Sequence, residues 1–259
     1  MKPLMLRAFA LVIVTCSAAR ADTLLERFPA PANTARADVV AGSFAAHLRT
    51  LPLMPPGTPV TSHAGDVVRA PWAEAVVDLD VGTRDLQQCA DSAMRLYAEW
   101  RRTQKTAQTL VLHATSGDPI PYARYVRGER ATAKGRGLSW STGAAAGDTA
   151  AVWRAWLDTV FLYGGSISLA KDTVPATGPL RAGDLLVGGG SPGHVLVVLD
   201  VARPPTPASD DDAWLLLGQG FMPAQSFHVI GWKKADDDGV ITVPSWPKPF
   251  PRESRRRFK

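Results

Sequence analysis

The chain has 259 residues, of which 46% are apolar, so it is long enough to bury one substantial core. After the first 21 residues, no apolar run reaches the length of a membrane-spanning helix. The formal net charge is +5, but the basic residues concentrate at the two ends, which argues against a nucleic-acid partner.

The N-terminus has the three parts of a secretion signal. Lys2 and Arg7 precede an apolar stretch from Ala8 to Ala19, and a small-x-small pattern ends at Ala21. We therefore expect residues 1–21 to be removed and the protein to be periplasmic or extracellular, with a net charge near +2. The alternative is a lipoprotein acylated on Cys16.

The first half of the mature chain alternates between predicted helices and strands. Ser43 can cap a short helix that ends before Pro52, because proline lacks the helical N–H. Residues 75–81 alternate as a strand does, and apolar residues from 85 to about 105 recur with the spacing of one helical face. A strand near 108–115 follows.

The second half predicts one more helix and then a run of strands. Asp148 can cap a helix that ends at Gly164. Residues 185–187, 194–201 and 214–219 are short apolar runs separated by turn residues, which is typical of an antiparallel meander.

These elements predict a single α+β domain over residues 22–243. We expect the antiparallel β-meander of this domain to pack against the predicted helix that carries Cys89. The remaining residues, 244–259, are rich in proline and arginine and predict a flexible tail, with contact to anionic cell-surface polymer as an alternative.

Removing the signal leaves Cys89 as a lone thiol in an exported chain, near the start of a predicted helix. Unpaired helix N–H groups stabilise a thiolate, so Cys89 is a candidate nucleophile. Asp85 and Asp91 oppose this effect. If Cys89 faces inward with Leu86 and Ala93, it is instead a small core residue.

His194 is the candidate base, because it opens a predicted strand. If Asp200 faces Ala213, antiparallel pairing sets His194 opposite Gln219, with both side chains on one face. Gln219 would then orient the ring, while the other ring nitrogen meets Cys89. A one-residue slip would turn Gln219 to the opposite face.

Several further residues are candidates for substrate binding. Gln225 and His228 follow the proposed triad strand and could line a cleft, with His228 as a rival third member or base. Gln88 could donate to an oxyanion. Ser191 formally fits the G-x-S-x-G pattern of serine hydrolases, but that pattern requires a helix after the serine, and here a strand follows. We therefore interpret Ser191 as part of a hairpin loop that could contact a substrate beside His194. A covering loop is the alternative for residues 222–230.

No cofactor or metal is predicted. His47, His63 and His113 are scattered singly, without a carboxylate or thiol at ligand spacing. The glycine run at 188–190 leads into a strand, whereas a phosphate-binding loop leads into a helix.

Two stretches resemble the strand pair of NlpC-type cell-wall endopeptidases, which are papain-like cysteine enzymes. They are Gly183-Asp184-Leu185-Leu186 and Gly193-His194-Val195-Leu196-Val197-Val198. The resemblance implies a papain-like core with insertions. It also implies the order of helix cysteine, strand histidine and polar residue on the next strand, which Cys89, His194 and Gln219 match.

A wider resemblance, over most of the mature chain, is to the domain-of-unknown-function family 4846 of exported bacterial proteins. It is carried by Asp85-Leu86-Gln87-Gln88-Cys89-Ala90-Asp91, Tyr163-Gly164-Gly165-Ser166, Gly190-Ser191-Pro192-Gly193-His194 and Met222-Pro223-Ala224-Gln225 with His228. It supports one domain and implies no established activity.

The hypothesis from the sequence is an exported cysteine hydrolase that cleaves an amide bond in a peptide or in a peptidoglycan stem peptide. Its proposed triad is Cys89, His194 and Gln219, with a peptide or cell-wall fragment as substrate. The alternatives are a non-catalytic domain that binds or scaffolds the cell envelope, and acyl transfer through the same residues.

Overall fold

The protein is described by a computed structural model that covers residues 22–190 and 192–259. The predicted signal segment with Cys16, and the candidate Ser191, lie outside the described residues. Within the described part of the chain, no helix has both the length and the apolar character needed to cross a bilayer.

Helices and strands alternate through the first two thirds of the chain, and strands dominate the last third. The helices are α1 (Leu24–Arg27), α2 (Phe44–Arg49), α3 (Cys89–Thr103), α4 (Tyr122–Val126), α5 (Ala150–Tyr163) and α6 (Leu169–Asp172). The strands are β1 (Ala35–Arg36), β2 (Ala75–Val76), β3 (Val111–His113), β4 (Pro119–Pro121), β5 (Arg130–Lys134), β6 (Gly137–Ser141), β7 (Thr173–Pro175), β8 (Leu185–Gly188), β9 (His194–Arg203), β10 (Trp214–Gln219), β11 (His228–Lys234), β12 (Ile241–Val243), β13 (Trp246–Phe250) and β14 (Arg255–Phe258).

The central sheet has the strand order β2-β11-β10-β9-β8-β14-β7, and β1 also pairs with β9. All of these pairings are antiparallel. Strands β8 to β11 follow one another in sequence and in space, which confirms the predicted α+β class and its antiparallel meander.

Strand β9 is the centre of the fold because it is buried on both faces. Val195, Val197 and Leu199 belong to a core that also holds buried residues of α3 and α5. Leu196 and Val198 belong to a second core on the side of the β12–β13 hairpin. The period of two along the strand thus separates a helix side from a hairpin side.

The predicted helices were close to those observed. The helix that Ser43 caps is α2, and the helix expected over residues 85–105 is α3, which begins four residues later at Cys89. The strand expected over residues 75–81 is shorter, because only Ala75 and Val76 pair with β11.

The predicted pairing of β9 with β10 was wrong in register. Asp200 faces Leu216 rather than Ala213, a displacement of three residues. A bulge between Leu216 and Leu217 then skips Leu199, so that Leu217 faces Val198. Beyond the bulge the displacement is two residues, an even number, which restores the predicted face.

The C-terminal segment is not a flexible tail. Residues 246–250 form β13, and β14 lies inside the central sheet between β8 and β7. Buried Arg255 donates to Asp211 Oδ1 at 2.6 Å, and Arg257 donates to buried Asp184 Oδ1 at 2.6 Å. The basic residues that indicated a solvated end are thus neutralised by carboxylates distant in sequence.

A proline in β14 tests whether this strand is structural. We expect Arg256→Pro to lower the free energy of unfolding by about 1–3 kcal/mol more than Arg256→Ala does, because proline removes a backbone donor from a strand that is paired on both sides. Both variants lose the same side-chain bonds to Thr173. Urea unfolding measures the difference, and equal unfolding curves would show that the strand contributes nothing.

Candidate active site

Cys89 is the first residue of α3, and its thiol lies against the backbone N–H of Val195, one residue from His194. Burial raises the pKa of the thiol above its ordinary value of 9.0, and the nearby Asp91 carboxyl raises it further. Backbone N–H groups of Val195, Ala90 and Cys89 oppose these effects, but burial is the largest cause. The resting group is therefore a neutral thiol at pH 7.

A cavity of about 490 Å³ adjoins Cys89. Gln88 and Asp91 line it from the start of α3, and Gly193 and Met222 line it from the loops beside β9 and β10. Cys89 itself is half-buried and also packs against the helix-side core. The thiol thus reaches a space that could accept a substrate.

His194 is almost fully buried at the start of β9. Its ring stacks on Trp246, with centroids 4.7 Å apart and planes at 22°, and meets the edge of Phe221 at 5.0 Å. Burial lowers the pKa of His194 to about 4, although the hydrogen bond to Gln219 acts in the opposite direction. The imidazole is therefore neutral at pH 7.

The structure forms one of the two contacts expected of His194. Its Nε2 lies 2.7 Å from Gln219 Oε1, as the shared face requires. Within residues 22–190 and 192–259, no hydrogen bond joins the Cys89 thiol to the ring. The ring packs on the hairpin side of the sheet, while Cys89 packs on the helix side. The two groups meet only at the end of β9, through Val195.

Gln219 holds a buried polar network together. Its Oε1 accepts from Ser245 Oγ at 3.0 Å, and its Nε2 lies 3.0 Å from His228 Nε2. The Nδ1 of His228 lies 3.0 Å from the carbonyl oxygen of Ser226. Trp72 Nε1 donates to His228 Nε2 at 3.3 Å.

The other candidate binding residues fall in different places. Gln88 lines the cavity, and its amide donates to Asp85 Oδ1 at 3.1 Å. Gln225 and His228 are fully buried and do not line the cavity. The two side chains are therefore buried within residues 222–230 and do not face the cavity beside Cys89, contrary to the expectation that they line a cleft.

Asp91 is a member of the site that the sequence did not single out as functional. Its Oδ2 accepts from the Gln88 backbone N–H at 3.1 Å, and its buried Oδ1 has no hydrogen-bond partner in the described part of the chain. Burial raises the pKa of Asp91 to about 7. No group of three or more potential metal ligands occurs among the described residues.

Alkylation kinetics test the state of the thiol. In the protein from residue 22 onward, where Cys89 is the sole cysteine, we expect the native iodoacetamide rate to keep rising between about pH 8 and 9.5, because only the thiolate reacts. The urea-unfolded protein supplies the reference rate, which should be higher at pH 8. A native rate that is already constant from about pH 6 would instead reveal a stable thiolate.

The pH dependence of stability tests Asp91. A carboxyl whose folded pKa is raised stabilises the native state while protonated, and this contribution is lost as pH rises through about 7. From about pH 5.5 to 8, wild type should lose about 2 kcal/mol of unfolding free energy relative to Asp91→Asn. Urea unfolding at both pH values measures it. Parallel pH profiles for the two proteins would contradict the shift.

Comparison with known proteins identifies one family. A family model described as a domain of unknown function (4846) matches residues 24–251. The comparison finds no match among curated proteins and none among solved structures. It gives no support to the NlpC-type resemblance.

Proposed function

The chain belongs to the family described as a domain of unknown function (4846), and we propose that it is an exported cysteine hydrolase. Its substrate is an amide bond in a peptide or in the stem peptide of peptidoglycan. Cys89 is the nucleophile, His194 the base and then the acid, and Gln219 the residue that orients the ring.

The observation that carries this proposal is the bond of 2.7 Å between His194 Nε2 and Gln219 Oε1, at the strand end that the thiol touches. An amide oxygen can only accept a hydrogen bond, so Nε2 carries the proton and Nδ1 keeps its lone pair. The stacked Trp246 shields this pair from water. The order of a cysteine at a helix start, then a histidine and a glutamine on neighbouring antiparallel strands, also supports the proposal.

The reaction uses this tautomer in two stages. In the proposed reaction, the thiol leaves the Val195 N–H, meets Nδ1 around the end of β9 and gives up its proton to this nitrogen. The sulfur attacks the amide carbon, so that a C–S bond forms. The tetrahedral intermediate collapses, and the leaving amine takes the proton from Nδ1. Water then loses a proton to Nδ1, attacks the thioester and releases the carboxylic acid product and the thiol.

The negative oxygen of the intermediate forms next to the start of α3. The backbone N–H of Cys89 and the Gln88 amide, which Asp85 holds by one hydrogen bond, are the available donors. Because the thiol and the imidazole are both neutral at rest, His194 acts as a general base during attack. The pKa of about 4 keeps this base available at neutral pH.

Cleavage of cell-wall fragments tests the proposal. Wild type should release new amine and carboxyl ends from peptidoglycan stem peptides, detected by mass spectrometry. Cys89→Ala and His194→Ala should abolish this activity, and Gln219→Ala should lower kcat roughly 10-fold or more, because the ring loses its orienting bond.

The matched control is His113→Ala. His113 is a half-buried histidine that contacts Asp172 and lies outside the cavity beside Cys89. This variant should retain wild-type activity. Equal product from wild type and Cys89→Ala would remove the hydrolase proposal.

A second candidate is a non-catalytic domain that binds or scaffolds the cell envelope. It is favoured because, within the described part of the chain, no hydrogen bond joins the Cys89 sulfur to the His194 ring. In that case the cavity beside Cys89 would bind cell-wall fragments without cleaving them. Cys89→Ala would then bind them as tightly as wild type does.

A further inference from the structure

The hydrogen bonds of His194 continue past Gln219 to a second buried histidine. Gln219 faces His228 across the β10–β11 ladder, and their side chains meet at 3.0 Å. Both residues are fully buried, so neither amide nor imidazole can exchange these partners for water. Which atom donates in each of these hydrogen bonds is therefore determined by the other partners of His228.

The proton on His228 is fixed by its neighbours. Nδ1 lies 3.0 Å from the Ser226 carbonyl oxygen, which can only accept, so Nδ1 carries a proton. Burial lowers the pKa of His228, so the ring is neutral at pH 7 and Nε2 is an acceptor. Trp72 Nε1, which can only donate, points at the same Nε2.

The orientation of the Gln219 amide follows from this tautomer. An acceptor at His228 Nε2 requires the NH₂ end of the amide, which leaves the oxygen for His194 and for the Ser245 hydroxyl. A flipped amide would put NH₂ against His194 and an oxygen against the acceptor nitrogen of His228. That arrangement would leave two buried lone pairs facing each other.

We propose that His228 is a positioning residue, which acts through the Gln219 amide to keep the proton of His194 on Nε2 and the lone pair on Nδ1. This inference rests on the proposed function for its catalytic consequence. The tautomer itself is independent of whether the protein cleaves anything. His228 thus has a role that differs from substrate binding and from that of a rival base.

Two variants of similar side-chain length separate the effect of the hydrogen-bond acceptor at position 228 from the effect of side-chain volume. His228→Gln can present an amide oxygen to Gln219 Nε2, whereas His228→Met has the same length and no comparable acceptor. In the protein from residue 22 onward, we expect His228→Met to lower kcat roughly 10- to 100-fold with KM little changed, and His228→Gln to restore most of it.

The second measurement does not depend on activity. Long-range ¹H–¹⁵N NMR spectra of wild type should show His194 protonated on Nε2 alone, and His228 on Nδ1 alone. In His228→Met, a fraction of His194 should shift to the Nδ1-protonated form, and His228→Gln should reverse that shift.

The outcomes distinguish this inference from the hydrolase proposal. Wild-type His194 protonated on Nδ1, or identical His194 spectra in the Met and Gln variants, would overturn the positioning role even in an active enzyme. The expected tautomers in a protein without hydrolase activity would support the positioning role while the function failed. If His228→Met does not fold, the wild-type spectrum alone decides the tautomer.

Discussion

The site depends on one buried amide. Gln219 is fully buried, and both ends of its side chain must find partners inside the protein. Its oxygen meets His194 on β9 and Ser245 in the turn before β13, and its nitrogen meets His228 on β11. Because three strands and a turn must converge to satisfy it, the amide links the register of the sheet to the protonation of one ring. A shift of any of these elements would leave a buried polar group unpaired.

The thiol is placed by a different constraint, the close approach of α3 to the end of β10. A Cβ on Gly220 would lie 2.9 Å from the Gln88 carbonyl oxygen, closer than such atoms normally come, so glycine lets the helix start rest on the strand. This contact brings Cys89 to the Val195 N–H. The helix start does not make a thiolate there, because burial and Asp91 outweigh the backbone donors in setting the pKa. The resting thiol and imidazole are thus both uncharged, and ionisation of the thiol is left to the moment of attack.

Local pattern was sufficient to predict α2, α3, the order of the meander and the shared face of His194 and Gln219. The last prediction succeeded although its register was wrong by three residues at Asp200, because the bulge at Leu199 removes one of the three and returns Gln219 to the face of His194. Nothing in the apolar sequence of β9 marks Leu199 as the extra residue of a bulge. The partners Trp72 and Ser245 were equally invisible, since each contacts the network from a loop far away in sequence. Burial of Asp91, which decides its pKa, is likewise a property of the assembled site.

The composition of the C-terminal segment gave a wrong prediction for residues that contact the candidate site. Proline and arginine predict a solvated end, yet residues 244–259 supply Ser245 to Gln219 and Trp246 to the face of His194. Their strand β14 is held by Asp184 and Asp211, so the charges that suggested solvent are the ones that anchor the segment in the sheet. The match of the family model, residues 24–251, includes this cover over the histidine. The segment is therefore part of the candidate site. Without it, Trp246 would no longer cover the bond between His194 and Gln219, and the Gln219 oxygen would lose the hydrogen bond that it accepts from Ser245.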